Sequence, residues 1–578
     1  MKVGITGFSG EQPRVLPTML PDAGAREAWD VRLDDGGLTP TRRSRLVATV
    51  TANHRTIYRH NGTWLSRAGD VHFAPGPVAQ DRLYYTGDGA PKMQVAGVVY
   101  PLALPPPAAA LTASATGSGT GEVFTRLYVY TWVTSFGEES EPCPVSNELL
   151  WQSGKTVTLT GFASAPAGRG ITKQRIYRSQ TGKVGTYLYL IAERNASNSD
   201  FTDTVPVDTF GESLPSADWN APPDGLTGLV SMANGMMAAF TGRDVYFCEP
   251  WRPHAWPEKY VLTVDYPVVA LAAIDTTLLI MTEGQPYVAQ GTHPSTMAQK
   301  RIELNLPCIN ARGVVNLGFA VCYPSHDGLV SMSAGGTPSL VTGNLFRKDD
   351  WQALSPQTAI GSQLGQRYMM FYDTMVGTRR NAGAFAIDLS GTAFLVRHTI
   401  TAGAAWYDLR NSALYYCAPG SGEVQELHPT EGSPNVLSWS SKEFLLPAPH
   451  NFGVILVDSL AALTAADQAA LDADRAAVLA QLAAAIPISD LGAPINAKPI
   501  GELLVGGDVF SVSLAAISGP EFEAIVIADG EPKFSIRHLD RPVRLPAGFK
   551  ARSWEIAVRS NVSVKQITLA TSMADLTS

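Results

Sequence analysis

His326-Asp327-Gly328 sets an imidazole beside a carboxylate, which is two thirds of a hydrolytic triad. The pair falls between two apolar runs, Phe319-Ala320-Val321 and Leu329-Val330-Ser331, where Asp-Gly serves a hairpin turn. No GxSxG supplies a nucleophile, so a turn is predicted here and not a catalytic dyad. His54 and His60 lie close in sequence, but none of the ten histidines stands in an HExxH arrangement or beside a cysteine pair. The five cysteines, Cys143, Cys248, Cys308, Cys322 and Cys417, are widely spaced and form no CxxC. They predict neither a disulfide framework nor a zinc site, but reduced, mostly buried thiols in a protein folded in a cytoplasm. No glycine string matches GxxxxGK[ST], and Gly117 to Gly121 stand in a low-complexity stretch. No catalytic residue, metal or cofactor is expected, and the chain is read as a non-enzyme.

The remaining residues of interest are suited to contact. Arg379-Arg380, in DTMVGTRRNAG, reads plainly as a solvated hairpin tip and more sharply as a channel-facing loop that touches nucleic acid. Arg14, Arg26, Arg42, Arg43 and Arg45 help to make the segment 1–60 basic, with nine Lys or Arg against six Asp or Glu. The whole chain carries a net charge of −8, which excludes a general nucleic-acid binder. A basic segment on an acidic body suggests an assembly interface with a neighbouring subunit or an acidic partner. Trp251 and Trp256, in EPWRPHAWP, are the aromatic pair a glycan-binding protein would need. The SxDxGxTW repeat of sialidases has one distant counterpart, His60-Asn61-Gly62-Thr63-Trp64, which lacks the Ser and the Asp. Glycosidase activity is therefore not expected.

The elements that must position these residues are short strands. A length of 578 residues and 45% hydrophobic content predict two to four domains with ample cores. Residues 1–45 form an N-terminal arm that Pro13, Pro17, Pro21 and Pro40 cut into pieces too short to fold alone. It is expected to become ordered against its own chain or a neighbour. Its deletion is expected to leave the rest folded while abolishing assembly. Hairpins marked by Asn61-Gly62 and Asp88-Gly89 fill residues 46–100. Pro101 to Gly121 reads as a linker, stiff and then flexible. A separate sandwich module is predicted over 110–222. Strand-and-turn units then recur about every 40 to 50 residues over 223–436, which is the period of propeller blades. Counting the 46–94 segment gives about six blades. Residues 437–578 read as a C-terminal β platform carrying one long helix, 464–486, with Leu471, Val478, Leu482 and Ile486 on one face. That helix has one basic residue, Arg475, so it is expected to pack on protein and not on a membrane. No apolar run reaches the roughly 20 residues a membrane span needs. The fold class is mainly β: a propeller interrupted by a β-sandwich, then a β platform.

Two resemblances follow. Tyr128-Val129-Tyr130-Thr131 before Phe136-Gly137-Glu138-Glu139-Ser140, with Gln174 to Ser179 on a later strand, resembles a fibronectin type III domain. Three further places resemble the nozzle, or tail tubular protein B, group of short-tailed bacteriophages. The first is Gln12-Pro13, Pro21-Asp22, Trp29-Asp30-Val31-Arg32, Gly37-Leu38 and Arg42-Arg43. The second is Trp439 to Phe444 followed by Pro449-His450-Asn451-Phe452-Gly453. The third runs from Leu545 to Phe549 through Trp554-Glu555-Ile556 to Ile567-Thr568-Leu569-Ala570. This resemblance implies a virion protein, assembled in the host bacterial cytoplasm, that forms a homohexameric ring below the portal adaptor and meets other tail proteins such as fibres or a needle. It would extend the DNA channel, retain the genome and open for ejection, with double-stranded DNA in transient passage. The alternative is a propeller-based receptor- or glycan-binding tail protein.

Overall fold

The computed structural model describes residues 1–181, 186–207, 209, 211–389, 391–460, 469, 473 and 521–577. Among them the chain is mainly β, built from many small sheets. Tight turns set the pattern. Asn61 and Gly62, both at positive φ, close a two-residue hairpin between Thr56–His60 and Thr63–Arg67. Both conformations are ones that Asn and Gly tolerate best.

Five four-stranded antiparallel meanders lie within 72–101, 227–263, 268–301, 315–340 and 360–398. A sixth sheet has three strands within 404–427, and its fourth, Arg45–Thr49, comes from the beginning of the chain. The apolar runs inside these sheets are buried on both faces. In Thr277–Thr282, Leu278 and Ile280 pack toward the 227–263 sheet, while Leu279 and Met281 pack toward 315–340. In Arg367–Val376, Tyr368 and Met370 face the 315–340 side, and Met369 and Phe371 face 404–427. A strand sandwiched in this way needs an unbroken apolar run instead of alternation. Each such Leu, Ile or Phe contributes about 1.5–3 kcal/mol of burial. A further apolar cluster joins the 404–427 sheet to the 56–67 hairpin through Tyr415, Cys417, Ile57 and Trp64. Tyr58 of that hairpin stacks on Phe73 of the 72–101 sheet at 4.9 Å.

Between the first two meanders the chain builds a sandwich. Thr112–Thr116, Thr156–Thr160 and Phe201–Asp203 form one sheet; Tyr128–Thr134, Ile171–Thr181 and Thr186–Asn195 form another. Tyr128, Tyr130, Trp132, Val157, Leu159 and Ile176 fill the space between them. The linker expected over 101–121 is corrected here, since Thr112–Thr116 and the start of Thr120–Arg126 are strands. Small residues hid them: Thr-Ala-Ser-Ala-Thr has strand alternation but little apolar bulk.

The N-terminal segment is not a separate arm. Lys2–Ile5 pairs with Val564–Ala570, and Ala25–Trp29 sits between Phe394–His398 and Leu437–Ser441. That insertion joins the 360–398 meander to Leu437–Ser441, Ala551–Ser560, Phe522–Ala528 and Glu531–Ile536, and Phe444–His450 also pairs with Ala551–Ser560, so one ten-stranded sheet crosses the expected boundary at 436–437. Short strands between prolines cannot fold alone, but each needs only an available sheet edge. Trp439, Trp554, Phe452, Val31 and Leu38 share the core beneath. The helix expected over 464–486 lies outside the described residues except for Ala469 and Ala473, both helical. No described helix is long and apolar enough to cross a membrane.

Candidate functional site

One concavity gathers residues from segments far apart in the chain. It holds about 780 Å³ and is lined by Arg55, Asp70, Glu283, Cys308, Asn310, Arg312, His326 and Gln357, among others. It opens at the end where the first strands of the 315–340 and 360–398 sheets begin, after Ala311–Gly313 and after Thr358 respectively.

Asp70 is its charged centre. Arg55 grips both carboxylate oxygens, Nε to Oδ1 at 3.0 Å and Nη2 to Oδ2 at 2.9 Å. Arg312 reaches the same carboxylate at 3.2 Å and donates from Nη2 to the carbonyls of Arg55 at 3.0 Å and Gly403 at 2.7 Å. Burial lowers the affinity of Arg312 for its proton, and Asp70 opposes that effect. The turn carrying Arg312 is fixed by Asn310, whose side chain accepts from the Arg312 amide and donates to the carbonyls of Pro356 and Ala359. Two guanidiniums converge on one carboxylate, and Glu283 in the same lining balances the second positive charge, so the pocket is an internally neutralised ion cluster.

The arrangement lacks an activated nucleophile. Burial pushes the Cys308 thiol up to about 12, so it remains protonated at neutral pH. His326 lines the pocket but is not paired with Asp327, whose carboxylate meets Lys348 at 2.7 Å. Ser325 and Gly328 pair across their turn, as expected for a two-residue hairpin. Among the described residues no group of three His, Cys, Asp or Glu side chains could hold a metal ion.

Arg379 and Arg380 occupy the tip of the hairpin formed by Arg367–Val376 and Arg379–Asp388. Phe371 pairs with Ile360, so this tip projects from the same end of the molecule as the cavity. Arg380 is clamped by Asp373 at 2.8 and 2.6 Å, and Arg379 is exposed; neither lines the cavity. The arginines of the N-terminal segment are scattered. Arg14 donates to the Gly343 carbonyl and Arg42 to that of Gly432; Arg26 pairs with Glu555 at 2.9 Å and Arg45 with Glu426 at 2.6 Å. The Arg43 side chain is exposed. These partners lie in three parts of this same chain, so the five arginines do not form one patch.

His54 contacts Ser66 at 2.7 Å, and Trp64 packs edge-on against Trp406 and Tyr415. Trp256 is buried, whereas Trp251 is 53% exposed. Sequence reasoning missed Arg55, Asp70 and Arg312. Only the Asn310-x-Arg312 turn carried a local signal, since pairing between segments so remote in the chain has none.

No family model matches this chain, and neither does any curated protein. Among solved structures it is similar to the N-terminal domain of Nup159, at 11% identity over 47% of this chain and 75% of that one, with a TM-score of 0.25. It is also similar to PorZ, a surface component of the type-IX secretion system of Porphyromonas gingivalis. That match has 11% identity over 69% of this chain and 42% of PorZ, with a TM-score of 0.28.

Proposed function

We propose that this chain is a structural subunit of a bacteriophage tail nozzle. In this reading the six four-stranded sheets are blades of a β-propeller, and the 56–67 hairpin fills the space between the last blade and the first. A fibronectin type III-like sandwich is inserted between the first two blades, and the platform follows. Six copies form a ring below the portal adaptor that extends the DNA channel, holds the genome and opens for ejection.

The observation that carries this reading is the interlacing of both chain ends. Arg45–Thr49 supplies the outer strand of the 404–427 sheet, Ala25–Trp29 joins the 360–398 sheet to the platform, and Lys2–Ile5 pairs with Val564–Ala570 near the C-terminus. A subunit tied in this way cannot open from either end without breaking a sheet, which suits a wall loaded by packaged DNA. The acidic balance is supportive too, since DNA must slide past without tight phosphate contacts. The Arg379–Arg380 tip is the proposed DNA-touching loop, and exposed Arg43 is the remaining candidate of its group for a neighbour or adaptor.

A second reading, glycan or receptor binding, has one specific observation behind it, the exposed Trp251 ring. Light scattering on the purified protein, paired with a glycan array, separates the two. A nozzle subunit gives particles of about six 61.7 kDa chains and no specific glycan. A monomer with a saturable glycan hit that Trp251→Ala removes contradicts the nozzle.

A further inference from the structure

The sandwich meets the 72–101 and 227–263 sheets across a seam that buries charge. Glu138, at the turn after Tyr128–Thr134, is 5% exposed, while Arg169 and His254 are each 2% exposed. Glu138 and Arg169 pair at 2.8 Å, and Arg169 also donates to the carbonyls of Leu102 and Ala103. Arg82 stands 3.9 Å from Glu138 Oε1 and donates to the Phe136 carbonyl. From the other side His254 Nε2 lies 3.0 Å from the Glu139 carbonyl.

That last contact fixes the tautomer. A carbonyl only accepts, so Nε2 carries the hydrogen and Nδ1 of the neutral ring presents a lone pair. Nδ1 faces Glu138 Oε1 at 4.0 Å, which sets two acceptors opposite each other at a distance too long for a hydrogen bond. Both atoms are buried without a protein hydrogen-bond partner, as are two donors in the same cluster, Arg169 Nη1 and Tyr84 Oη. Tyr84 sits beside Arg82 without a well-formed hydrogen bond to it. Two acceptors and two donors are the complement of one water molecule, and buried polar groups left unsatisfied are costly.

We propose that Glu138, His254, Arg169 and Tyr84 enclose a water-binding site, and that the bound water completes the seam that the direct contacts of Arg169, Arg82 and His254 make between the sandwich and the first two meanders. Its walls come from four separate segments, two of the sandwich and two of the sheets. This holds whether or not the protein is a nozzle.

The test is an experimental structure of the full chain at a resolution that shows ordered solvent. Density for water within hydrogen-bond distance of Glu138 Oε1, His254 Nδ1 and at least one of the two donors is expected. A dry seam, with Glu138 and His254 in direct contact or turned away, overturns the proposal. In solution, Tyr84→Phe, which removes an Oη with no protein hydrogen-bond partner and leaves the His254–Glu139 contact in place, should raise amide exchange around 136–141 by about tenfold, as loss of a buried hydrogen bond implies. Exchange in the 404–427 sheet should stay unchanged, which establishes that the variant folds. Unaltered exchange at the seam in a folded variant contradicts the bound water.

Discussion

At the scale of single residues, the thiols are held unreactive by burial. All five cysteines are buried and free, and burial pushes Cys143 and Cys417 up to about 11 and Cys248, Cys308 and Cys322 up to about 12. A thiol reagent at pH 8 should therefore find no reactive cysteine in the native protein and five after denaturation. Rapid labelling of a native thiol would contradict that burial. Three histidines are pushed down, chiefly by burial: His72, His254 to about 4 and His428 to about 3. Each binds its proton more weakly folded than unfolded, where the value is 6.5. Their neutral, folded arrangement is favoured above pH 6.5, and stability is lost as the pH falls from there toward 4. Glu11 acts in the opposite sense, because burial raises its carboxyl and protonation then favours the fold. The melting temperature should fall across that acid range, and replacing His254 with an apolar residue should reduce the slope. At the cavity, Asp70→Asn should cost about 1 kcal/mol or less, since Arg55 and Asp70 are solvent-exposed. Arg312→Ala, which empties two carbonyl contacts of a more enclosed side chain, should cost about 2 kcal/mol by urea denaturation.

At the scale of elements, closure depends on strands that come from the far end of the chain. A Cβ at Gly422 would collide with the Val50 carbonyl, and one at Gly10 with that of Leu395. Each glycine lets a segment of residues 1–50 approach a sheet closely, so Gly422→Ala and Gly10→Ala should each destabilise by about 1–3 kcal/mol. Removing residues 1–40 takes away Lys2–Ile5 and Ala25–Trp29, and with them Leu38 and Ala28 of the platform core. That truncation should give insoluble or protease-sensitive protein, in place of the folded but unassembled chain that the sequence suggested. A soluble truncation with native melting would contradict this weaving. The hairpins were legible because Asn61-Gly62 and the doubly buried run Leu278 to Met281 are local signals. Ala25–Trp29 was not, because its alternation is broken and its partner, Leu437–Ser441, lies in the last third of the chain. Thr112–Thr116 was mistaken for linker because small residues there do the packing. The site was less legible than the fold, because Arg55, Asp70 and Arg312 become neighbours only when separate sheets come together.

At the scale of the whole molecule, strands from residues 1–49 pair with the 404–427 sheet, the 360–398 sheet and the platform, and the proposed role takes its support from that pairing. The cavity and the Arg379–Arg380 tip share one end, so an adaptor, a neighbouring subunit or passing DNA would meet both together. Charge reversal at the exposed pair, Arg379→Glu with Arg380→Glu, should leave folding intact, changing stability by no more than about 1 kcal/mol. It should reduce ejection from reconstituted virions; unaltered ejection would remove the tip from the channel. The most direct test of the nozzle proposal is electron microscopy of the purified protein, alone and mixed with the portal adaptor that the proposal invokes. Averaged images are expected to show six-fold rings with a central opening wide enough for a DNA duplex. A monodisperse population of single chains that forms no ring with the adaptor would contradict it.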